Sequence, residues 1–302
     1  MPIYDTSYRH IEGVRSVSRI RFLPIVTTGA RLFLKKRQAK LFLLLAALPL
    51  FFGIVVLVLP GAMTNEAGAR MQHALGAFLD MSGAYLWLLL AKFESLPTFL
   101  ITLFAGGGLI ANDLRANAAE VYFSRPVTRL DYALGKLGAL LTLLLSVTLL
   151  PAFVLWLFDV LLDDKVGFLA QQLHLVPRII GASVVLTVPY AMLMLTISSI
   201  AGTARNAMIV FAGLILMSKA VGTGLAEGLE NQKYGAISID ANLDRISSWV
   251  LDSDMKQLPG IEVGLPAIDV PVGLSIAVVA GLMVVCILVL TRRIRGVEVV
   301  AT

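Results

Sequence analysis

Apolar residues fall in six long blocks, at approximately 41–60, 96–111, 132–158, 179–200, 206–222 and 271–291. The polar segments between them are very unequal in length. A helix needs about 20 apolar residues to cross a hydrocarbon layer of about 30 Å. The pattern therefore predicts an all-α integral membrane protein built as a six-transmembrane-helix bundle. Residues 1–40 precede it as a polar N-terminal region, and residues 41–302 form the spanning domain. The third block is longer than a crossing requires, which predicts a tilt or a kink at Pro151; Pro189 lies inside the fourth.

Composition supports this division. Of 302 residues, 58% are hydrophobic and 15% charged, and mean hydropathy is +0.84. Soluble domains carry about 45–50% apolar and about 25% charged residues, so one globular core cannot hold this excess. Nine Lys and Arg stand in residues 1–40 against Asp5 and Glu12. That stretch is too polar and too long to read as a cleaved signal peptide, and the first span is expected to act as an uncleaved anchor. From Pro24 the residues Ile25, Gly29, Leu32 and Phe33 share one helical face. They predict a basic amphipathic helix over 24–40, lying on the inner leaflet. Lys and Arg gather on the side of both termini and of the 111–131 insert, which the positive-inside rule assigns to the cytoplasm. The acid-rich segment 224–269 then falls outside, and is expected to form a partly helical cap.

Few residues offer chemistry. Cys286 is the single cysteine, and His10, His73 and His174 lie far apart. These give no disulfide within the chain and no metal-ligand spacing. The spans are nearly free of ionisable residues, which weighs against an ion-coupled carrier; Lys219, near the end of the fifth, is expected to snorkel outward. Gly135-Lys136 resembles the end of a phosphate-binding loop. However, Leu130 and Leu137 stand where that loop needs Gly and Ser or Thr. Ser183 has no nucleophile frame, and Ser198-Ser199 are expected to bond to backbone carbonyls. The chain is thus expected not to be an enzyme, to hold no cofactor and to bind no nucleic acid. Gly273, Ala277 and Gly281 form a small-residue face on the sixth span, suited to close helix packing.

The insert Gly106–Lys136 is the most informative stretch. Asn112 or Asp113 is placed to cap a short helix. Leu114, Ala118, Val121 and Tyr122 share one face, with Asn117 and Glu120 opposite. Pro126 disfavours helix at Arg125, which leaves a corner at Ser124-Arg125-Pro126. Thr128 and Asp131 have capping-box spacing for the next helix. A plain helix connection needs about 2–8 residues; this one is longer and strongly patterned, as a docking element would be.

These residues resemble a permease of the ABC-2 exporter superfamily. The likeness is carried by Gly108-Leu109-Ile110-Ala111-Asn112-Asp113, Tyr122-Phe123-Ser124-Arg125-Pro126-Val127-Thr128-Arg129, Asp131-Tyr132 and Gly135-Lys136. The tail Arg292-Arg293-Ile294-Arg295-Gly296-Val297-Glu298 is a weaker echo. Similar chains include bacterial permeases serving copper-enzyme maturation and antimicrobial export. The resemblance implies a permease subunit in the bacterial cytoplasmic (inner) membrane, multi-pass, with both termini cytoplasmic. It implies pairing with a second permease chain, identical or similar, and with ATP-binding cassette ATPase subunits that hold ATP and Mg. The 24–40 helix would be the elbow and 113–123 the coupling helix. Asp113, Leu114, Arg115, Asn117, Glu120, Tyr122, Arg125, Pro126 and Arg129 would make the ATPase contact. A membrane scaffold or signalling anchor for a cytoplasmic ATPase, moving no substrate, is the alternative.

Overall fold

The structure, a computed structural model, describes residues 21–62, 96–116, 118, 128–162, 173–252 and 270–296. Among them every regular element is helical. In chain order these are α1 (Leu23–Leu34), α2 (Arg37–Ala62), α3 (residues 96–106), α4 (Ala111–Arg115), α5 (Arg129–Leu162), α6 (Leu175–Ile200), α7 (Ala204–Gly228), α8 (Ile239–Leu251) and α9 (Val272–Gly296). Six stretches among the described residues, on α2, α3–α4, α5, α6, α7 and α9, are long and apolar enough to cross a membrane. They coincide with the six apolar blocks. Several helices run further than the apolar blocks predicted. α5 starts at Arg129 and continues unbroken through Pro151 to Leu162, α7 extends to Gly228, and α9 to Gly296.

α6 is the central helix. Buried residues cover its whole circumference from Pro189 to Ser199, as expected for a helix that is apolar on all sides. α3, α5, α7, α8 and α9 pack around it. Its second half lies in the main core with Ile101, Leu140, Leu144, Phe211 and Cys286. Its first half joins a smaller cluster with Leu155, Trp156 and Leu251. The end of the bundle that holds α1, α4 and the start of α5 is called the terminal end below.

A helix precedes the first span, but it is shorter than the expected 24–40: α1 stops at Leu34, residues from Arg37 on belong to α2, and the apolar face of α1 is already occupied. A Cβ on Gly135 would stand 2.7 Å from Ile25, one on Gly138 2.8 Å from Val26, and one on Gly29 2.8 Å from Ala139. α1 and α5 therefore touch at backbone distance, the arrangement that small residues allow between helices. Phe33 and Ala30 are buried as well, while Leu32, placed on the same face by the sequence, is exposed. The helix ends at a tight turn over Lys35 and Lys36, and α2 starts at once.

The segment after α7 departs most from a simple loop between spans. The chain turns at Leu229 and Glu230 and folds back along α7 through a 3-10 turn, Gln232–Ile237. Ser238 comes so close to Gly222 that a Cβ there would lie 2.8 Å from its amide nitrogen. The Ile239 amide donates to Ser218 Oγ at 3.5 Å. α8 then runs out again beside α6. It meets Tyr190 at its start, and at its other end Val250 packs on Gly181 and Asp252 pairs with Arg178 at 3.2 Å. Tyr190 is 15 residues from Leu175 and 10 from Ile200. At 1.5 Å per residue those are about 22 Å and about 15 Å along α6. The segment is thus a re-entrant hairpin whose tip reaches the middle of the bundle.

That tip carries charge. The Tyr190 hydroxyl donates to Asp240 Oδ1, and Lys219 Nζ lies 3.6 Å from Asp240 Oδ2. The Ser238 hydroxyl caps α8 by accepting from the Ala241 amide at 3.2 Å, and Asn242 Nδ2 donates to the Ala236 and Ser238 carbonyls, both at 2.7 Å. Lys219, expected to snorkel outward, is 42% exposed and in addition pairs with Asp240. The spans themselves are poor in ionisable groups, but the hairpin delivers a carboxylate to their interior.

Candidate functional site at the terminal end

The insert that the sequence singled out begins where α3 ends. The last turn of α3, Thr102–Gly106, is a π-helix, and Gly106 and Gly107 then lie tight against the methionine side chains of α6 and α7. A Cβ on Gly106 would stand 2.6 Å from Met194, and one on Gly107 2.7 Å from Met208. No side chain of the segment caps α4: its N-cap is Ile110, not Asn112 or Asp113. The acceptor comes from α6 instead. Ser198 Oγ accepts from the Ile110 and Ala111 amides at 3.2 and 3.0 Å, and its hydroxyl donates to the Gly107 carbonyl at 2.9 Å. One buried serine therefore satisfies backbone groups that the end of α3 and the start of α4 leave open. Ser199 donates to the Thr196 carbonyl, so both serines bond to backbone, as expected.

Asp113, released from capping, turns to α5. Its Oδ2 lies 2.6 Å from Lys136 Nζ and accepts from the Tyr132 hydroxyl at 2.8 Å. Lys136 Nζ also lies 5.5 Å from the centroid of the Tyr132 ring. The Lys136 and Asp113 side chains are 10% and 17% exposed. This is a charge-assisted pair in a poorly solvated corner, where losing one partner costs far more than losing both.

α5 starts with the reciprocal capping box that its sequence predicted. The Asp131 amide donates to Thr128 Oγ1 at 3.1 Å, and Asp131 Oδ2 accepts from the Thr128 amide and hydroxyl at 3.0 and 2.7 Å. One face of the first turn of α5 thus fixes the helix start, while Tyr132 and Lys136 hold α4.

The expected contact residues separate into three groups. Asp113 is half-buried and engaged with α5, while Leu114 packs on the main core. Arg115 is exposed and Arg129 half-buried at the same end. Asn117, Glu120, Tyr122, Arg125 and Pro126 lie outside the described residues, and with them most of the expected 113–123 helix and its corner. The third group, the face of Gly273, Ala277 and Gly281, packs on nothing among the described residues. A Cβ on either glycine meets no atom within 4 Å, and Ala277 is exposed. Close packing within the chain is made by Gly29, Gly135 and Gly138; the sequence reading had placed Gly29 on the apolar face of the first helix and had used Gly135 for another purpose.

No protein-family model matches this chain, and no curated protein is significantly similar to it. The geometry therefore stands by itself. Among the described residues no cluster of His, Cys, Asp and Glu could hold a metal ion. What the terminal end does contain is a joint. The start of the 107–127 connection is bonded to α6 through Ser198 and to α5 through Asp113, and α5 is in turn fitted to α1.

Proposed function

We propose that this chain is the transmembrane permease subunit of an ATP-binding cassette transporter, an exporter of the ABC-2 type. It would form the translocation path, pair with a second permease chain, and leave ATP hydrolysis to a separate subunit in the cytoplasm of a bacterial cell. The six apolar helices and the motif resemblance support this reading. The observation that carries it is the meeting of Asp113, Tyr132 and Lys136. Three residues quoted for the resemblance, 23 positions apart at the extremes, come together as one bonded cluster.

The joint suits such a role. A push from an ATPase docked on this connection would reach α5 through the Asp113–Lys136 pair and α6 through Ser198. α1, seated on α5 by glycine contacts, would move with it as the elbow. In this reading Arg115, Asn117, Glu120 and Arg125 face the partner. Purification of the tagged chain from its native membrane tests it. The expected result is a stoichiometric complex with a P-loop ATPase whose turnover changes when the permease is reconstituted in lipid. A chain that purifies without any such ATPase overturns it. A complex that hydrolyses ATP but moves no substrate would instead favour the scaffold.

A further inference from the structure

We propose that the corner between α1 and α2 is a binding site for the anionic headgroups of membrane phospholipids. Arg31, Lys35, Lys36, Arg37 and Lys40 lie within ten residues, and all five are exposed. No Asp or Glu occurs between Glu12 and Glu66. Among the described residues none of the five has an acidic partner; Lys36 Nζ lies 6.0 Å from the centroid of the Phe33 ring. The first turn of α2 also holds no acid.

The surroundings identify the counter-charge. α1 does not depend on lipid for its buried face, because Ile25, Val26 and Gly29 are fitted to α5. It offers outward Leu23, Leu32 and Leu34 together with Arg31 in its last turn. α2 leaves the corner with Leu41, Leu44, Leu48 and Phe51 exposed along it. Unpaired cations thus stand in the turn directly before an apolar, outward-facing stripe. In a bilayer the stripe meets acyl chains and the cations meet the headgroup layer. Clusters of this size next to a span attract anionic lipid, with a contribution of roughly fivefold in affinity per cation. The site needs only that α2 crosses a bilayer, whatever the chain transports.

The test uses the full chain in neutral detergent, titrated with phosphatidylglycerol or phosphatidylcholine and followed by native mass spectrometry. The expected result is tight, salt-sensitive retention of phosphatidylglycerol over phosphatidylcholine. It should fall about 100-fold in the Lys35→Gln/Lys36→Gln/Arg37→Gln variant. It should survive in Arg292→Gln/Arg293→Gln, which removes cations at the end of α9. Equal binding of the two lipids by the parent overturns the site, even if the triple variant fails to fold. So does equal loss in both variants, or displacement of the lipid by millimolar inorganic phosphate.

Discussion

Replacing Asp113 by Asn keeps the shape of the side chain and an acceptor for the Tyr132 hydroxyl, but removes the carboxylate charge that lies 2.6 Å from the Lys136 ammonium. Removing one partner of a fully buried ion pair costs about 3–5 kcal/mol. Here the side chains are 10% and 17% exposed. Water relieves part of that penalty, and the expected cost is about 2–3 kcal/mol, or about 30–150-fold in the folding equilibrium. Lys136→Met should be costly as well, since it strands the carboxylate. The double variant, Asp113→Asn with Lys136→Met, buries no unpaired charge and should lie within about 1 kcal/mol of the parent. The assay is a double-mutant cycle of unfolding free energies, with sodium dodecyl sulfate titrated into the purified protein in mild detergent. A coupling energy of about 1.5 kcal/mol or more is expected. If the double variant loses the sum of the two single losses, the pair is not the joint described. The double variant has a second use. It should be stable but hold α4 without the ion pair to α5, so in the proposed transporter it should hydrolyse ATP with weakened coupling to transport.

Three further outcomes follow from the same geometry. Gly29→Val forces side-chain atoms into Ala139, whose Cβ already lies 2.8 Å from an ideal Cβ at position 29. It should cost about 1–3 kcal/mol and speed proteolysis near the α1–α2 turn, whereas Thr28→Val, on the exposed face, should do neither. At the hairpin tip, Asp240→Asn should leave Lys219 unpaired and destabilise the fold, and adding Lys219→Met should recover most of the loss; a double variant worse than either single would show that the 3.6 Å pair does not matter. In a chain with Cys286 replaced, single cysteines at Asn117, Thr203 and Thr302 should react with an impermeant thiol reagent only from the cytoplasmic side, and those at Gly68 and Ser253 only from the other; labelling of position 117 from outside breaks the six-span order.

The spans were legible because crossing a bilayer requires an unbroken apolar run, which a linear sequence displays directly. The start of α5 was legible for a similar reason: Thr128 and Asp131 act on each other three residues apart. What the sequence hid depends on distant partners. Asn112 and Asp113 were both plausible caps for α4, but Ser198, 85 positions beyond Asp113, supplies the acceptor and frees Asp113 for Lys136. Lys219 looked like a lone lysine near a helix end, because nothing local shows that the chain folds back 21 residues later to bring Asp240 against it. Glycine contacts were only partly legible. Gly273 and Gly281 meet nothing among the described residues of this one chain, whereas Gly29 and Gly138 owe their role to Ala139 and Val26 on another helix.

The proposed function places the docking of a separate ATPase on the 107–127 connection of this chain. Site-specific crosslinking in native membranes tests it most directly. A photoreactive group is placed at Asn117, with a control at Trp249, exposed on α8, and crosslinked products are identified by mass spectrometry. The account predicts a covalent adduct between position 117 and a P-loop ATPase, formed at much lower yield from position 249 and lost when the partner is depleted. No adduct at 117 in membranes that contain the ATPase, or equal yield from both positions, would contradict it.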